Sequence, residues 1–352
     1  MTSKERITRM YQHREADRVP IVDSPWRGTI ARWHEEGMPT GVRWHDWFGA
    51  DKVGGYGVNV SPRYEEKTIE ENEHWRIYTT SYGVTMKQFK ALDSTPEFID
   101  FKVTTPEAWE DAKRRMNDLA GRIDWDRLKR DYAQWEAEGH WRSAGFWFGF
   151  DVTHAGMVGT ETLLMAMLEE PEWVTDMFDT YLGNSIRIFD EIWDAGYVFD
   201  EMMWYDDLGY KGTTFFSPAL YRDLLQPFHK RAVDWAHSKG IYARLHSCGN
   251  INQLLPDIVA TGVDALNPIE VKAGMDPLQV KQDYGDKLTL HGGINAVLWD
   301  DKERIVAEIE RVVPKLKENG GYIFASDHSI PSSVSLENFS AIIDTVKRCG
   351  TY

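Results

Sequence analysis

The sequence has few cysteines, no long apolar run and a shortage of basic residues, and each of these excludes a class of protein. Two cysteines in 352 residues cannot build the disulfide framework of a small secreted domain. No window holds 18 consecutive apolar residues, and the N-terminal stretch lacks the apolar core of a signal peptide. A net charge of −16 disfavours nucleic acids and anionic membranes as partners. We therefore expect a cytoplasmic protein that acts on small molecules, with neither a nucleic-acid nor a membrane partner.

The remaining composition is that of a chain with a sizeable core, since 42% of the residues are apolar and 27% are charged. A chain of this length can form two average domains or one large α/β barrel. No linker, low-complexity tract or short repeat interrupts it. We therefore expect one domain over residues 1–352, and leave open whether it forms a homodimer.

From residue 145 to residue 352 the sequence repeats one pattern, in which a short apolar run and a polar or glycine-containing loop precede a segment of helical periodicity. This alternation is typical of βα units. Six units begin with the stretches GFWFGFDV, VFDEMMWY, IYARLHS, VDALNPIE, KLTLHGG and YIFASDH. Ser217 with Pro218 is a typical helix start, and Gly240 is a typical helix end.

Residues 1–144 are less regular and contain a first strand, N-terminal helices and a β-hairpin outside the repeat. RVPIVDS (18–24) predicts the first strand, HWRIYTTSYGVTMKQFK predicts the hairpin, and EFIDFKV (97–103) is the candidate for an eighth strand. Neither GxGxxG nor GxxxxGK[ST] is present, which disfavours a nucleotide-binding sheet. The predicted fold is a single α/β (β/α)8 TIM barrel with an N-terminal extension that contains the hairpin.

The stretch HSCGN puts His246 and Cys248 at the C-terminal end of a predicted strand, where barrel enzymes carry their chemistry. Residues i and i+2 of a strand share a face, so both side chains point toward the barrel mouth. Imidazole and thiolate are ligands that zinc favours. The structural alternative is a cysteine packed as a small apolar side chain beside a histidine bonded to a carbonyl.

Two further strand ends carry groups of metal-ligand type, Glu270 in ALNPIE and His328 in FASDHSIP. Each also has a structural alternative, because Glu270 could begin a solvated loop and His328 could bond to Asp327 or cap the last helix. His291 is a competing ligand, although the two glycines after it favour a substrate-binding role.

Other polar and aromatic residues follow predicted strands. Asp206 and Asp207 are candidates to bind substrate or to orient a metal-bound histidine, and Asp151 and His154 are candidates for proton transfer to a leaving oxygen. A turn or another structural role is the alternative for all four. The candidates for the walls of a substrate site are Trp26, Arg27, Trp204 and Tyr205.

The stretches HSCGN, GVDALNPIEVKAGMDPLQVKQDYGDKLTLHGGIN and GGYIFASDHSIPSSVSLENF together resemble the uroporphyrinogen decarboxylase superfamily. READRVPIVD and DDLGYKGTTFFSPALYRDLLQPFHKR extend this resemblance over nearly the whole chain. It is closest to the branch of corrinoid-dependent methyltransferases. VDSPWRGTIARW does not match the arginine-bearing pattern with which the haem-pathway decarboxylase holds its substrate, so the resemblance disfavours that activity.

The resemblance also implies a set of zinc ligands. Methyltransferases of this branch hold zinc with a His-x-Cys pair, which corresponds to His246 and Cys248, and with a later cysteine, where this chain has His328. The more distant cobalamin-independent methionine synthase has a glutamate between these ligands, which favours Glu270. The implied ligands are thus His246, Cys248, Glu270 and His328, whereas Cys349 is expected to be structural.

Such a ligand set carries two negative charges, whereas a set with a second thiolate would carry three. The zinc would therefore be the better Lewis acid for the oxygen of a methyl ether. We therefore predict a zinc-dependent methyltransferase that moves a methyl group between a small substrate, with an aromatic methyl ether as one candidate, and a corrinoid (cobalamin) on a separate partner protein. O-demethylation is the favoured direction, and the reverse transfer stays open. The alternatives are a uroporphyrinogen-decarboxylase-like lyase that acts on an unidentified carboxylic acid, and a non-catalytic small-molecule binder.

Overall fold

Short strands alternate with helices along most of the chain, for which a computed structural model describes residues 1–90 and 95–352. The strands are β1 (Val53–Gly57), β2 (Thr68–Glu71), β3 (Trp75–Thr79), β4 (Val84–Phe89), β5 (Glu97–Phe101), β6 (Trp141–Trp147), β7 (Glu201–Tyr205), β8 (Gly209–Tyr210), β9 (Thr213–Thr214), β10 (Tyr242–His246), β11 (Ala265–Asn267), β12 (Thr289–His291) and β13 (Tyr322–Ile323). The α-helices are α1 (Ser3–Tyr11), α2 (Arg27–Glu35), α3 (Trp44–Phe48), α4 (Pro106–Met116), α5 (Trp125–Glu138), α6 (Phe150–Thr153), α7 (Thr160–Glu169), α8 (Pro171–Asp194), α9 (Pro218–Leu220), α10 (Gln226–Ser238), α11 (Leu255–Ala260), α12 (Pro277–Tyr284), α13 (Lys302–Leu316) and α14 (Leu336–Gly350). Short π-helical turns cover His154–Val158 and Tyr221–Leu225, and 3-10 turns cover Val271–Ala273 and Ala296–Leu298.

Seven strands form one parallel sheet in the order β1-β6-β7-β10-β11-β12-β13. The stretch around Ile21 lies between the two edges of this sheet. Ile21 forms a parallel bridge with Phe324, just after β13, and its carbonyl accepts a 2.8 Å hydrogen bond from the N–H of Asp51, just before β1. The predicted α/β fold around a parallel sheet is confirmed. RVPIVDS lies at the eighth position of the ring, but it forms isolated bridges there and not the predicted strand.

The prediction that EFIDFKV contributes a barrel strand is wrong. It supplies β5, which pairs antiparallel with β4 in a separate four-stranded sheet of order β2-β3-β4-β5. HWRIYTTSYGVTMKQFK supplies β3 and β4, which also pair antiparallel. The barrel position belongs to β1, whose sequence VGGYG gives little strand signal because glycine has no side chain to pack. Gly54 is required there, since a Cβ would lie 2.4 Å from the indole ring of Trp135.

The alternation of side chains along the strands decides which residues face the barrel interior. On β7, Trp204 packs outward, with its ring 5.7 Å from that of Phe148, whereas its neighbours Met203 and Tyr205 line a cavity at the barrel mouth. On β10, Leu245 is buried on the helix side, while His246 lines the same cavity. The sheet therefore presents every second residue to the site.

The helix boundaries follow local capping signals. Ser217 is the N-cap of α9, where its hydroxyl accepts a hydrogen bond from the N–H of Leu220, and Pro218 is the first helical residue. Gly240 adopts a left-handed φ of 72° after α10, so the predicted start and stop are both confirmed. Among the described residues, no helix combines the length and apolar character needed to cross a membrane.

A buried ion pair lies in the barrel interior below the mouth. Arg244 of β10 donates to Glu201 of β7 through Nη2 at 2.6 Å and Nε at 3.1 Å, and the hydroxyl of Tyr11 donates to the same carboxylate at 2.5 Å. Burial by itself would raise the pKa of Glu201, but the charge and hydrogen bonds of Arg244 outweigh it and lower the pKa to about 2. Both groups are therefore charged at neutral pH.

Candidate metal centre and substrate cavity

A cavity of about 600 Å³ opens at the C-terminal ends of the parallel strands. Its wall includes residues from the ends of neighbouring strands or just beyond them, namely Tyr205, Asp207, His246, Cys248, Asn267, His291 and His328. This is the face on which barrel enzymes bind substrates, and the volume suits a small molecule.

Three groups of metal-ligand type converge on one side of this cavity. His246 Nε2 lies 3.3 Å from Cys248 Sγ and 3.8 Å from Asp207 Oδ1. The N–H of Cys248 donates to Asp207 Oδ1 at 2.8 Å, which holds the loop after β7 against the loop after β10. One ligand atom from each of the three residues lies within 4.8 Å of the others. A thiol, an imidazole and a carboxylate at this spacing fit a zinc ion.

The charge state of His246 suits metal binding. Burial lowers the pKa of His246 to about 4, although its hydrogen bond to Asn267 acts in the opposite direction. The imidazole is therefore neutral at pH 7, which is the form that coordinates a metal.

Burial and neighbouring carboxylates dominate the electrostatics of the other two groups, Cys248 and Asp207. Burial and then the carboxylates of Asp207 and Glu270 raise the pKa of the Cys248 thiol, which keeps it protonated in the absence of a metal. Burial and then the carboxylate of Asp151 raise the pKa of Asp207 to about 7. A divalent cation would stabilise both the thiolate and the carboxylate, so the electrostatics of the cluster favour a cation.

Glu270 and His328 lie near this cluster without joining it. Glu270 Oε2 accepts a 2.6 Å hydrogen bond from the N–H of Gly249, and its Oε1 lies 3.4 Å from Lys272 Nζ. His328 is on the cavity wall, with its ring edge-to-face against Trp26 at 6.4 Å. In the described part of the chain, the metal-ligand groups that lie within 4.8 Å of one another are those of Asp207, His246 and Cys248. The ligand roles of Glu270 and His328 therefore stay predictions.

Asp206 lies behind the cavity wall. Its Oδ2 is 2.8 Å from His229 Nε2, its Oδ1 accepts from the N–H of Asp151 at 2.7 Å, and His229 Nδ1 is 2.9 Å from the hydroxyl of Tyr221. Burial raises the pKa of Asp206 well above its usual range. The side chain is 0% exposed, so it connects the end of β7 to α6 and α10 without reaching the cavity.

Asp151 and His154 lie close together on α6 and the π-helical turn after it. His154 Nε2 is 3.7 Å from Asp151 Oδ1, and Asp151 Oδ2 accepts a 2.8 Å hydrogen bond from the indole of Trp147. His154 Nδ1 lies 3.0 Å from the hydroxyl of Thr160. Neither Asp151 nor His154 is among the residues that line the cavity, so their catalytic role stays a prediction.

The predicted substrate-binding residues are spread over several environments. Tyr205 lines the cavity, is 45% exposed and places its ring 4.5 Å from that of His246. Trp204 is 1% exposed on the opposite side of the same strand and cannot contact a molecule in the cavity. Trp26 lines a smaller depression on the far side of His328, and Arg27 is exposed at the start of α2.

His291 lines the cavity, and its hydrogen bond shows which ring nitrogen carries the proton. Burial and then the charge of Arg244 lower the pKa of His291 to about 3, so the ring is neutral at pH 7. His291 Nε2 is 2.9 Å from the carbonyl oxygen of Val22 and must donate to it. The lone pair therefore resides on Nδ1, which is buried and has no hydrogen-bond partner among the described residues.

Two polar residues of the site, the half-buried Asn267 and the buried His229, were not predicted. Asn267 ends β11 in ALNP, so the rule that identified the other strand-end residues also applied to it. His229 lies within α10, and its place beside Asp206 depends on how that helix packs, for which the sequence carries no signal.

A family model described as uroporphyrinogen decarboxylase (URO-D) matches residues 143–349. A uroporphyrinogen decarboxylase from Vesicomyosocius okutanii is 32% identical over 98 residues, which is 28% of this chain and 28% of that protein. A uroporphyrinogen decarboxylase from Pseudoalteromonas atlantica is 29% identical over 100 residues, which is 28% of this chain and 27% of that protein. The aligned segments thus span little more than a quarter of either relative.

One of the similar solved structures is a methyltransferase from Methanosarcina mazei. It has a TM-score of 0.65 at 17% sequence identity, and the match covers 99% of each chain. The two proteins therefore share a fold over their whole length.

Proposed function

The chain belongs to the uroporphyrinogen decarboxylase family, and we propose that within this family it is a zinc-dependent methyltransferase. The observation that carries this proposal is the convergence of Asp207, His246 and Cys248 within 4.8 Å at the barrel mouth. The shared fold with a methyltransferase supports it. Among the described residues that line the cavity, the single arginine or lysine is Arg244, which Glu201 already neutralises. Such a cavity is poorly suited to a substrate with many carboxylates.

We propose that His246, Cys248 and Asp207 hold the zinc ion, with Glu270 and His328 as candidates for a further position. When bound, zinc supplies Lewis acidity, which withdraws electron density from the heteroatom that carries the methyl group. Cys248 and Asp207 contribute one negative charge each, so the ion would keep more Lewis acidity than with a third anionic ligand.

The cavity residues position a small methyl ether beside this site. The ring of Tyr205 offers a face for an aromatic substrate. When the methyl group leaves, its bonding electron pair stays on the oxygen, and Asp151 and His154 are the candidates to supply the proton that this oxygen takes up. We propose that the methyl group goes to the reduced corrinoid of a separate protein, as in the corrinoid-dependent methyltransferases that the sequence resembles.

The test is a methyl-transfer assay with zinc-loaded protein, chemically reduced free cobalamin and either 2-methoxyphenol or methoxybenzene. We expect the absorption of reduced cobalamin to decay with a matching release of phenolic product. A protein that contains stoichiometric zinc but gives no transfer from methyl ethers, methyl thioethers or methylamines would contradict the proposal.

The two curated relatives are decarboxylases, so a lyase is the second candidate function. A lyase would release carbon dioxide from uroporphyrinogen or another carboxylic acid, and Cys248→Ser would leave that release unchanged. The proposed methyltransferase predicts no carbon dioxide release and complete dependence on Cys248.

A further inference from the structure

Asn267 lies at the end of β11, directly beside His246 of β10 in the parallel register. Its Nδ2 donates a 3.0 Å hydrogen bond to the carbonyl oxygen of His291, and its Oδ1 lies 2.5 Å from His246 Nδ1. A backbone carbonyl can only accept, so the bond to His291 determines which end of the amide faces which neighbour. The oxygen of Asn267 therefore faces the imidazole of His246.

This contact has one consistent arrangement of protons. The oxygen of Asn267 can only accept, so the proton of the neutral His246 ring must be on Nδ1. The lone pair is then on Nε2, which is the nitrogen that lies 3.3 Å from Cys248 Sγ and 3.8 Å from Asp207 Oδ1. In the other tautomer, Nε2 would carry a hydrogen and could not bind a metal.

We propose that Asn267 is a positioning residue that fixes the tautomer of His246 and thereby directs the Nε2 lone pair into the space shared with Cys248 and Asp207. The consequence for zinc depends on the proposed function, whereas the tautomer is a property of the metal-free protein. Metal-bound histidines commonly donate their second N–H to an oxygen, which orients the ring. An amide does this without adding negative charge to a site that already contains the carboxylate of Asp207 and the thiol of Cys248.

The same side chain also connects the candidate metal site to the substrate cavity. Its two bonds run to β10 on one side and to β12 on the other, and both His246 and His291 line the cavity. Asn267→Asp keeps one of these hydrogen bonds and removes the other, because a carboxylate can accept from His246 but cannot donate to the carbonyl of His291.

The experiment measures ring-nitrogen chemical shifts of His246 in metal-free protein with ¹⁵N-labelled histidine, and zinc affinity by competition with a chromogenic chelator. In the wild type and in Asn267→Asp we expect the proton of His246 on Nδ1. In Asn267→Leu we expect a mixture of tautomers and a 10- to 100-fold weaker zinc affinity, the usual loss when such an orienting partner is removed. Asn252→Leu, an exposed asparagine outside this network, should match the wild type in both readouts.

A proton on Nε2 of His246 in the metal-free wild type would overturn the proposal, and this spectrum requires no variant to fold. Unchanged tautomer and zinc affinity in Asn267→Leu would overturn it as well. A wild type that has the proton on Nδ1 but binds no zinc would refute the zinc site of the proposed function while supporting the assignment of the tautomer to Asn267.

Discussion

Replacing Cys248 with serine is expected to lower the bound zinc from about one equivalent to less than a tenth, and to abolish methyl transfer. The free energy of zinc binding to structural sites is about 10–16 kcal/mol, or roughly 3 kcal/mol for each of four ligands. The loss of a thiolate should therefore weaken the affinity for zinc more than a hundredfold. Serine is close to cysteine in size, and the fold should persist. Metal content measured by mass spectrometry on protein purified without chelators tests this prediction.

Cys349 provides the matched control for this experiment. It lies on the last helix, partly buried against the core, and Cys349→Ser should retain the full zinc content. His328→Ala and Glu270→Gln in the same measurement decide whether either residue is a further ligand. If Cys248→Ser retained zinc, Cys248 would be only a small packing residue beside His246.

Replacing Arg244 with methionine is expected to lower the free energy of unfolding by about 3–5 kcal/mol, because Glu201 would be left buried without a counter-ion. Urea denaturation at pH 7 measures this loss. Lys302→Met is the control, since its ion pair with Glu337 is exposed and should contribute less than about 1 kcal/mol. The double variant Arg244→Met/Glu201→Gln should recover part of the stability. If it recovered none, the cost would come from lost packing of the arginine side chain.

The effect of Arg244→Met should depend on pH. The pKa of Glu201 is lowered in the folded protein from 4.5 to about 2, so the ion pair contributes its full stability above pH 4.5 and loses it as the pH falls toward 2. The difference in the free energy of unfolding between the wild type and Arg244→Met should therefore decrease as the pH falls from 4.5 toward 2. A difference that stayed constant down to pH 2 would contradict the assigned charge of Glu201.

The pairing of His246 with Cys248 could be predicted, since the two-residue period of a strand is enough to put them on one face. The same period shows that Trp204 and Tyr205, as neighbours on a strand, must lie on opposite sides of it, so that both could not line one cavity. Which carboxylate approaches the thiol was beyond prediction, because it depends on the course of two loops. The N–H of Cys248 binds Asp207, whereas Glu270 is held by the N–H of Gly249.

The parallel sheet was predictable from six regular βα units, each with its own apolar run. The strand β1 was not, because three of its five residues are glycines and its partner β6 lies more than 80 residues later in the sequence. EFIDFKV has the stronger strand signal, but it finds antiparallel partners in the neighbouring sheet. Local pattern therefore identified strands, whereas long-range pairing decided to which sheet each one belongs.

The bridge between Ile21 and Phe324 has a consequence for how the protein is made. Because the ring of strands is completed by two residues that are about 300 positions apart in the sequence, the ring cannot close before residue 324 has left the ribosome. Until then the edges of the growing sheet can pair with other chains. A chaperone that covers these edges during synthesis should therefore raise the yield of active protein.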